Sequence, residues 1–165
     1  EIVATLPTIG MAWGTDGNAF ADIAYQYFGN RTGETPVIDK VGKPCQQNYV
    51  IVISDGHIRN STEAFRTLAK LRDEYEVTTL MVGYGGSYQN ANAKVIFDRL
   101  ARAGSCESPG DYYDNVNPIS YEGLDNKTGC ESPIDAETPA DLKTEISSKI
   151  RQIIAERLSL SLIHI

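Results

Sequence analysis

The stretch CQQNYVIVISDGH, from Cys45 to His57, changes from polar to almost wholly apolar and then stops at an acidic residue. Residues 48–54 (NYVIVIS) are rich in β-branched side chains, and this apolar run is typical of a strand covered on both faces. Ser54, Asp55 and Gly56 follow at its end. Because a carboxylate at the tip of a core strand is costly unless something there needs it, Asp55 is the first candidate for a functional residue.

The chain around this strand alternates between helical and extended patterns. Apolar residues at helical spacing predict four helices, over residues 18–28, 61–75, 91–103 and 138–158. Residues 77–83 (VTTLMVG) predict a second buried strand, residues 111–116 (DYYDNV) predict a short one, and residues 117–137 form a polar insertion. This alternation indicates crossover connections and a parallel sheet. Open α/β sheets bind ligands beyond the carboxyl ends of their strands, where Asp55 lies.

Composition limits the classes of partner. The chain has 165 residues, enough for one domain, and its 41% hydrophobic and 22% charged content argues against disorder. The formal charge of −7 argues against nucleic acid and against anionic membrane surfaces, since both bind basic patches. No apolar run is long enough to predict membrane insertion. An acidic protein is compatible with a bound cation.

Both ends of the sequence have unusual features. The chain begins at Glu1, and its last six residues, LSLIHI at 160–165, resemble the translation of a sequencing-transposon adapter. We therefore expect a fragment of a longer reading frame, in which residues 1–159 form one partial domain and residues 160–165 are an adapter-derived tail outside the fold. The alternative is an ordinary apolar tail.

The three cysteines are Cys45, Cys106 and Cys130. Cys106 and Cys130 flank a segment rich in glycine, proline, asparagine and tyrosine, and a disulfide across that segment suits an exported protein. The alternative is three unrelated thiols in a cytosolic protein. Cys45 is left without a partner in this assignment.

The order of these motifs resembles the von Willebrand factor A family over roughly residues 8–158. IVISDG stands where that family has a strand ending in TDG, TLMVGYG stands where the next strand ends in a glycine-rich turn, and DYYDNV with ETPADLKTEISSKIRQII resembles the last strand and helix. The resemblance implies a three-layer, Rossmann-like α/β sandwich with a mostly parallel sheet, whose N-terminal strand or strands precede residue 1. Their absence from mid-sheet predicts an unpaired apolar edge and poor solubility.

The same resemblance implies a divalent cation at the carboxyl edge of the sheet. In the family its ligands are a DxSxS triplet, a threonine from a second loop and the aspartate of TDG. Asp55 matches that aspartate, and Thr15 matches the threonine because it directly precedes the corresponding helix. No DxSxS occurs in this chain, so the site is incomplete here. Mg²⁺ is expected first, with Ca²⁺ or Mn²⁺ as alternatives, because all three prefer hard oxygen ligands.

Two further features resemble the PilC/PilY-type adhesins of type IV pilus tips. They are Cys45-Gln46 ahead of the SDG strand and a threonine-led helix that ends in Tyr27-Phe28, although Asp16 stands where that branch usually has proline. The resemblance implies an exported module at the cell surface or in the periplasm, with pilus subunits and a protein or host-surface ligand as partners. It would act in metal-dependent adhesion or pilus biogenesis, not as an enzyme. The alternative is a scaffold or assembly module with an incomplete metal site.

The candidate residues also have simpler explanations. Asp55 suits an Asp-Gly turn, Thr15 suits a helix N-cap, and His57 suits an exposed loop. An α/β hydrolase that uses Ser54 or His57 has the least support, because the chain has no G-x-S-x-G motif.

Overall fold

A computed structural model describes residues 15–29, 47–106 and 129–162 of the chain. These residues form five β-strands and four α-helices. In chain order they are β1 (Thr15–Asp16), α1 (Gly17–Phe28), β2 (Asn48–Ser54), β3 (Ile58–Arg59), α2 (Ser61–Tyr75), β4 (Val77–Tyr84), α3 (Ala91–Ser105), β5 (Ile134–Ala136) and α4 (Pro139–Leu162). The protein is therefore of the α/β class, and its arrangement is compatible with a Rossmann-like fold.

The main sheet has the strand order β2-β4-β5, and both neighbouring pairs are parallel. Ser54 at the end of β2 pairs with Gly83 of β4, and Gly83 pairs in turn with Asp135 of β5. A separate two-stranded parallel pair joins β1 to β3. The parallel sheet expected from the alternation of strands and helices is confirmed, and the three carboxyl ends lie at one edge of it.

The core lies between one face of this sheet and helices α2 and α3. Side chains alternate between the two faces of a strand, so Val52 and Met81 point into the core while their neighbours point away. Phe65, Leu68 and Phe97 on the two helices are each at most 1% exposed. Burial of a side chain of this size contributes roughly 1.5–3 kcal/mol to folding. Helix α1 packs on α2 and is thereby fixed relative to the sheet.

The opposite face of the sheet is only partly covered. Leu80 and Val82 of β4 are buried there, but Ile51 and Ile53 of β2 are 42% and 50% exposed. The prediction that both faces of residues 48–54 are covered is therefore wrong for the end of this strand. A continuous apolar run indicates that both faces of a strand are suited to burial. Whether both faces are buried depends on where the strand lies in the sheet.

β5 lies inside the segment that the sequence analysis assigned to a polar insertion. Residues 134–136 pair with β4 and form a strand of the sheet, so the boundary of the insertion at residue 137 is wrong. Three residues with an aspartate in the middle are too few to show a periodic pattern. The strand predicted at residues 111–116 lies outside the described residues, as does the insertion up to residue 128.

α4 begins as its sequence predicts. Thr138 Oγ1 accepts a hydrogen bond from the Asp141 backbone N–H at 3.2 Å, and Asp141 Oδ2 accepts one from the Thr138 backbone N–H at 3.0 Å. This reciprocal pair is a capping box. The helix continues to Leu162, past the predicted end at residue 158, because no glycine or proline follows there to stop it. It thus includes the first three residues of the expected tail, and residues 163–165 lie outside the description.

A disulfide joins Cys106, at the end of α3, to Cys130. Beside it, Ser105 Oγ donates to the Ala101 carbonyl and accepts from the Glu131 backbone N–H at 2.8 Å. Glu131 in turn forms an ion pair with Lys149 of α4. The disulfide therefore belongs to a set of contacts that holds the end of α3 to the segment leading into β5 and to α4. Cys45 lies outside the described residues.

Candidate functional site

Asp55 lies at the carboxyl end of β2, at the edge of the sheet where ligands of open α/β folds bind. Its side chain is exposed, whereas Ser54 before it and Gly56 after it are buried. Asp55 Oδ1 accepts a long hydrogen bond of 3.4 Å from the His57 backbone N–H. That contact is weak at this length, so the carboxylate keeps oxygen lone pairs directed to solvent and can accept a cation.

Thr15 lies in the segment next to the one that carries Asp55. It is the first residue of β1, and its backbone pairs with Ile58 of β3, three residues after Asp55. The structure therefore brings together two segments that are far apart in the sequence. The family resemblance implies one cation ligand from each of these two segments.

Asp16 shows why Thr15 is not needed as a helix cap. Asp16 is the N-cap residue of α1, and its Oδ1 accepts from the Asn18 backbone N–H at 3.0 Å. The same oxygen accepts from Asn60 Nδ2 at 3.2 Å, which ties α1 to the segment before α2. The interpretation of Thr15 as the N-cap is wrong, because Asp16 fills that position. Asp16 is occupied by structural contacts, and Asp55 is the more available of the two carboxylates.

The oxygen groups at this edge are of the type that binds a hard cation, but the described residues supply too few of them to complete its coordination. Asp55 supplies a carboxylate and Thr15 is a hydroxyl residue, and Mg²⁺ prefers six such oxygen ligands, several of them water. Within the described ranges, no group of three or more histidine, cysteine, aspartate or glutamate residues could hold a metal ion. Asp55 and Thr15 could therefore supply only part of the oxygen ligands that such an ion needs.

Ser54 and His57 lie in different surroundings. Ser54 is 7% exposed and its backbone pairs with Gly83 inside the sheet, whereas His57 is exposed in the turn. The expectation that His57 is an exposed loop residue is confirmed. Tyr25 is a core residue, and its hydroxyl donates to Glu74 Oε2 at 2.5 Å. Burial, together with this hydrogen bond, raises the pKa of Tyr25.

Tyr88 is a residue near the site that the sequence analysis did not select. It is 4% exposed and lies in a 3₁₀ turn, Gly86–Gln89, that follows β4. Burial raises the pKa of its phenol, and the carboxylates of Asp135 and Asp98 raise it further. The available signal was Gly83, because a glycine within a strand often marks the close approach of another group.

Asp135, on the neighbouring strand β5, holds this turn from the other side. Its Oδ1 accepts from Gln89 Nε2 at 2.9 Å, and its Oδ2 lies 3.3 Å from Lys94 Nζ. The Lys94 ammonium also lies 5.5 Å from the centre of the Tyr88 ring. The carboxyl edge is therefore an ordered surface in which β4, β5 and the start of α3 are joined by side-chain contacts.

Comparison of the chain with models of protein families, with curated proteins and with solved structures found no match. Across the described part of the chain, no helix is both long enough and apolar enough to cross a membrane.

Proposed function

We propose that this chain is a von Willebrand factor A-type module that binds its partner through a divalent cation. The observation that carries the proposal is the exposed Asp55 carboxylate at the carboxyl edge of a parallel sheet, beside the strand that begins with Thr15. In the proposal Asp55 and Thr15 supply two oxygen ligands, and Mg²⁺ is the preferred ion. Water and chain outside the described residues complete the coordination.

The chemistry of such a site suits binding better than catalysis. Hydroxyl groups, water and one or two carboxylates leave a divalent cation incompletely neutralised, so it attracts an acidic group from a partner. A partner carboxylate that enters the coordination shell would join the two proteins through the ion. The module in this proposal is an adhesion protein without enzymatic activity.

The Cys106–Cys130 disulfide supports an exported location, because disulfides persist in oxidising compartments. With the resemblance to PilC/PilY-type proteins, it favours a surface or periplasmic module that acts in adhesion or pilus biogenesis. Its partners in the proposal are pilus subunits and a protein or host-surface ligand.

Paramagnetic broadening by Mn²⁺ tests the cation site on the chain as it is. Mn²⁺ shares the oxygen preference of Mg²⁺, and nuclear magnetic resonance detects its binding even when that binding is weak. The proposal predicts selective loss of amide signals at residues 55–58 and 15–17, reversed by a chelator. The absence of selective broadening at these amides, or equal broadening at every exposed carboxylate, would contradict it.

A scaffold module without a working metal site is the second candidate. The hydrogen bond from the His57 N–H to Asp55 favours it, because an aspartate that closes a turn needs no metal. The two candidate functions predict different results if the coding sequence upstream of Glu1 is determined. A DxSxS segment after an apolar strand supports the adhesion module, and an apolar strand without that triplet supports the scaffold.

A further inference from the structure

The ring of Tyr88 fills a notch in the sheet at Gly83. A Cβ atom placed on Gly83 would lie 2.3 Å from three ring atoms of Tyr88, so the ring rests directly on the glycine backbone. Gly83 pairs with Ser54 of β2, the residue before Asp55. The ring therefore lies against the sheet at the level where β2 ends.

The backbone of Tyr88 meets the residue that follows Asp55. Gly56 has φ of +107°, a conformation that favours glycine, and a Cβ there would lie 2.8 Å from Tyr88 Cα. The turn that carries Asp55 is thus pressed against the 3₁₀ turn at Gly56. The space for the backbone next to Asp55 is therefore limited by Tyr88, together with Ala93, whose Cβ would lie 3.1 Å from such a Cβ.

Two further contacts hold the Tyr88 ring in place. The ring of Phe97, which is fully buried in α3, lies 4.8 Å away between ring centres. Lys94 of the same helix lies over the ring and pairs with Asp135. These contacts with α3 hold the Tyr88 ring in one position. Because Tyr88 also contacts Gly56, they restrain the backbone of the Asp55–Gly56 turn as well.

We infer that Tyr88 is a positioning residue for Asp55: its ring, seated on Gly83 and Phe97, fixes the Gly56 turn and so the place of the Asp55 carboxylate at the sheet edge. The inference rests on the proposed function, since it assigns a supporting residue to the same cation site. Tyr88 itself is not proposed as a ligand. Because ordering the backbone of a residue costs conformational entropy, we expect loss of the ring to weaken cation binding about tenfold, which corresponds to about 1.4 kcal/mol.

Two variants of Tyr88 distinguish the effect of its aromatic ring from the effect of side-chain size alone. Tyr88→Phe keeps the ring on Gly83, whereas Tyr88→Leu keeps an apolar side chain but removes the flat surface. Amide hydrogen exchange at Asp55, Gly56 and His57 reports the order of the turn without any metal, and Mn²⁺ titration reports the cation affinity. We expect Tyr88→Phe to match the wild type in both. Tyr88→Leu should exchange about tenfold faster at these amides and bind Mn²⁺ about tenfold more weakly.

Leu71→Ala is the control for a general loss of stability. Leu71 is fully buried and lies late in α2, which returns the chain to the amino end of the sheet, away from Asp55. Under conditions where local opening governs exchange, this variant should leave exchange at residues 55–57 and Mn²⁺ affinity unchanged. The inference is overturned if Tyr88→Leu leaves exchange at these amides unchanged, or if Leu71→Ala speeds it equally.

The two readouts separate this inference from the proposed function. If the wild type shows no Mn²⁺ binding, the cation site fails, but exchange at residues 55–57 still decides whether Tyr88 orders the turn. If Mn²⁺ binds the wild type and Tyr88→Leu alike, the cation site stands and the positioning role of Tyr88 is overturned.

Discussion

Asp16 and Asp55 show how the same residue type takes different roles at one edge of a sheet. Both side chains are exposed, yet Asp16 Oδ1 accepts two hydrogen bonds of 3.0 and 3.2 Å, from Asn18 and Asn60. Asp55 accepts one of 3.4 Å from His57. The sequence does not predict which of the two carboxylates is more available, because the contact of Asp16 with Asn60 joins residues that are 44 positions apart.

A buried hydroxyl in β4 gives a stability prediction at the residue scale. Thr79 is fully buried, and its Oγ1 has no hydrogen-bond partner among the described residues. Because valine has the same shape without the polar atom, Thr79→Val should raise the free energy of unfolding by about 1 kcal/mol. Urea denaturation measures the change.

The neighbouring Thr78 is a matched control for that substitution. Its Oγ1 accepts a hydrogen bond from Arg72 Nη1 at 3.3 Å. Thr78→Val should therefore give no gain in stability, or a loss. A loss of stability in Thr79→Val that equals or exceeds that of Thr78→Val would contradict the assignment.

Elements with strong periodicity were predicted well from the sequence. The bounds of α2 and of β2 agree with their apolar patterns, and α1 and α3 differ from prediction by at most two residues at either end. β1, β3 and β5 were missed, because strands of two or three residues exist only through their partners. Their pairing is decided by tertiary contacts that no local pattern records.

The disulfide gives a prediction at the scale of elements. Cys106 and Cys130 are 24 residues apart in the sequence, and a cross-link that closes a loop of that length stabilises a protein by about 3 kcal/mol. The double variant Cys106→Ser/Cys130→Ser, made together with Cys45→Ser, should lose about that much free energy of unfolding relative to Cys45→Ser alone. Guanidinium unfolding without reductant measures it, and equal midpoints for the two proteins would contradict the role assigned to this bond.

At the scale of the whole molecule, one face of the described sheet has exposed apolar side chains, and we expect it to promote self-association. Ile51 and Ile53 are 42% and 50% exposed side by side on one sheet face, and contiguous apolar surface of this kind promotes association. Ile51→Thr/Ile53→Thr should reduce self-association and keep the strand, because threonine is also β-branched. Light scattering across a concentration series measures this.

Ile23 provides the comparison for that surface. It is 66% exposed on α1, away from the sheet, and an exposed apolar residue is by itself ordinary on a protein surface. Ile23→Thr should therefore change association little. If it reduces association as much as the double substitution, the sheet face is not the cause.

The fold of the whole molecule was more predictable from the sequence than its site. Alternating strands and helices predicted a parallel sheet and placed Asp55 at its carboxyl edge. The pairing of β1 with β3, which brings Thr15 beside that edge, was not predicted. Only the family resemblance implied that Thr15 and Asp55 belong to one site. The contact of Tyr88 with Gly56 and Gly83 was not expected at all, because an aromatic residue in a glycine-rich turn has no local pattern that reveals its target.

Stabilisation by Mg²⁺ in a matched pair of variants tests the central claim most directly. Asp16→Asn and Asp55→Asn remove one negative charge each from the same edge, and the amide oxygen can still accept the local hydrogen bonds, so both should fold. A ligand that binds only the folded state raises the melting temperature. We predict that Mg²⁺ raises the melting temperature of the wild type and of Asp16→Asn but not that of Asp55→Asn. An equal rise in Asp55→Asn, or none in the wild type, would contradict the claim that Asp55 is a cation ligand.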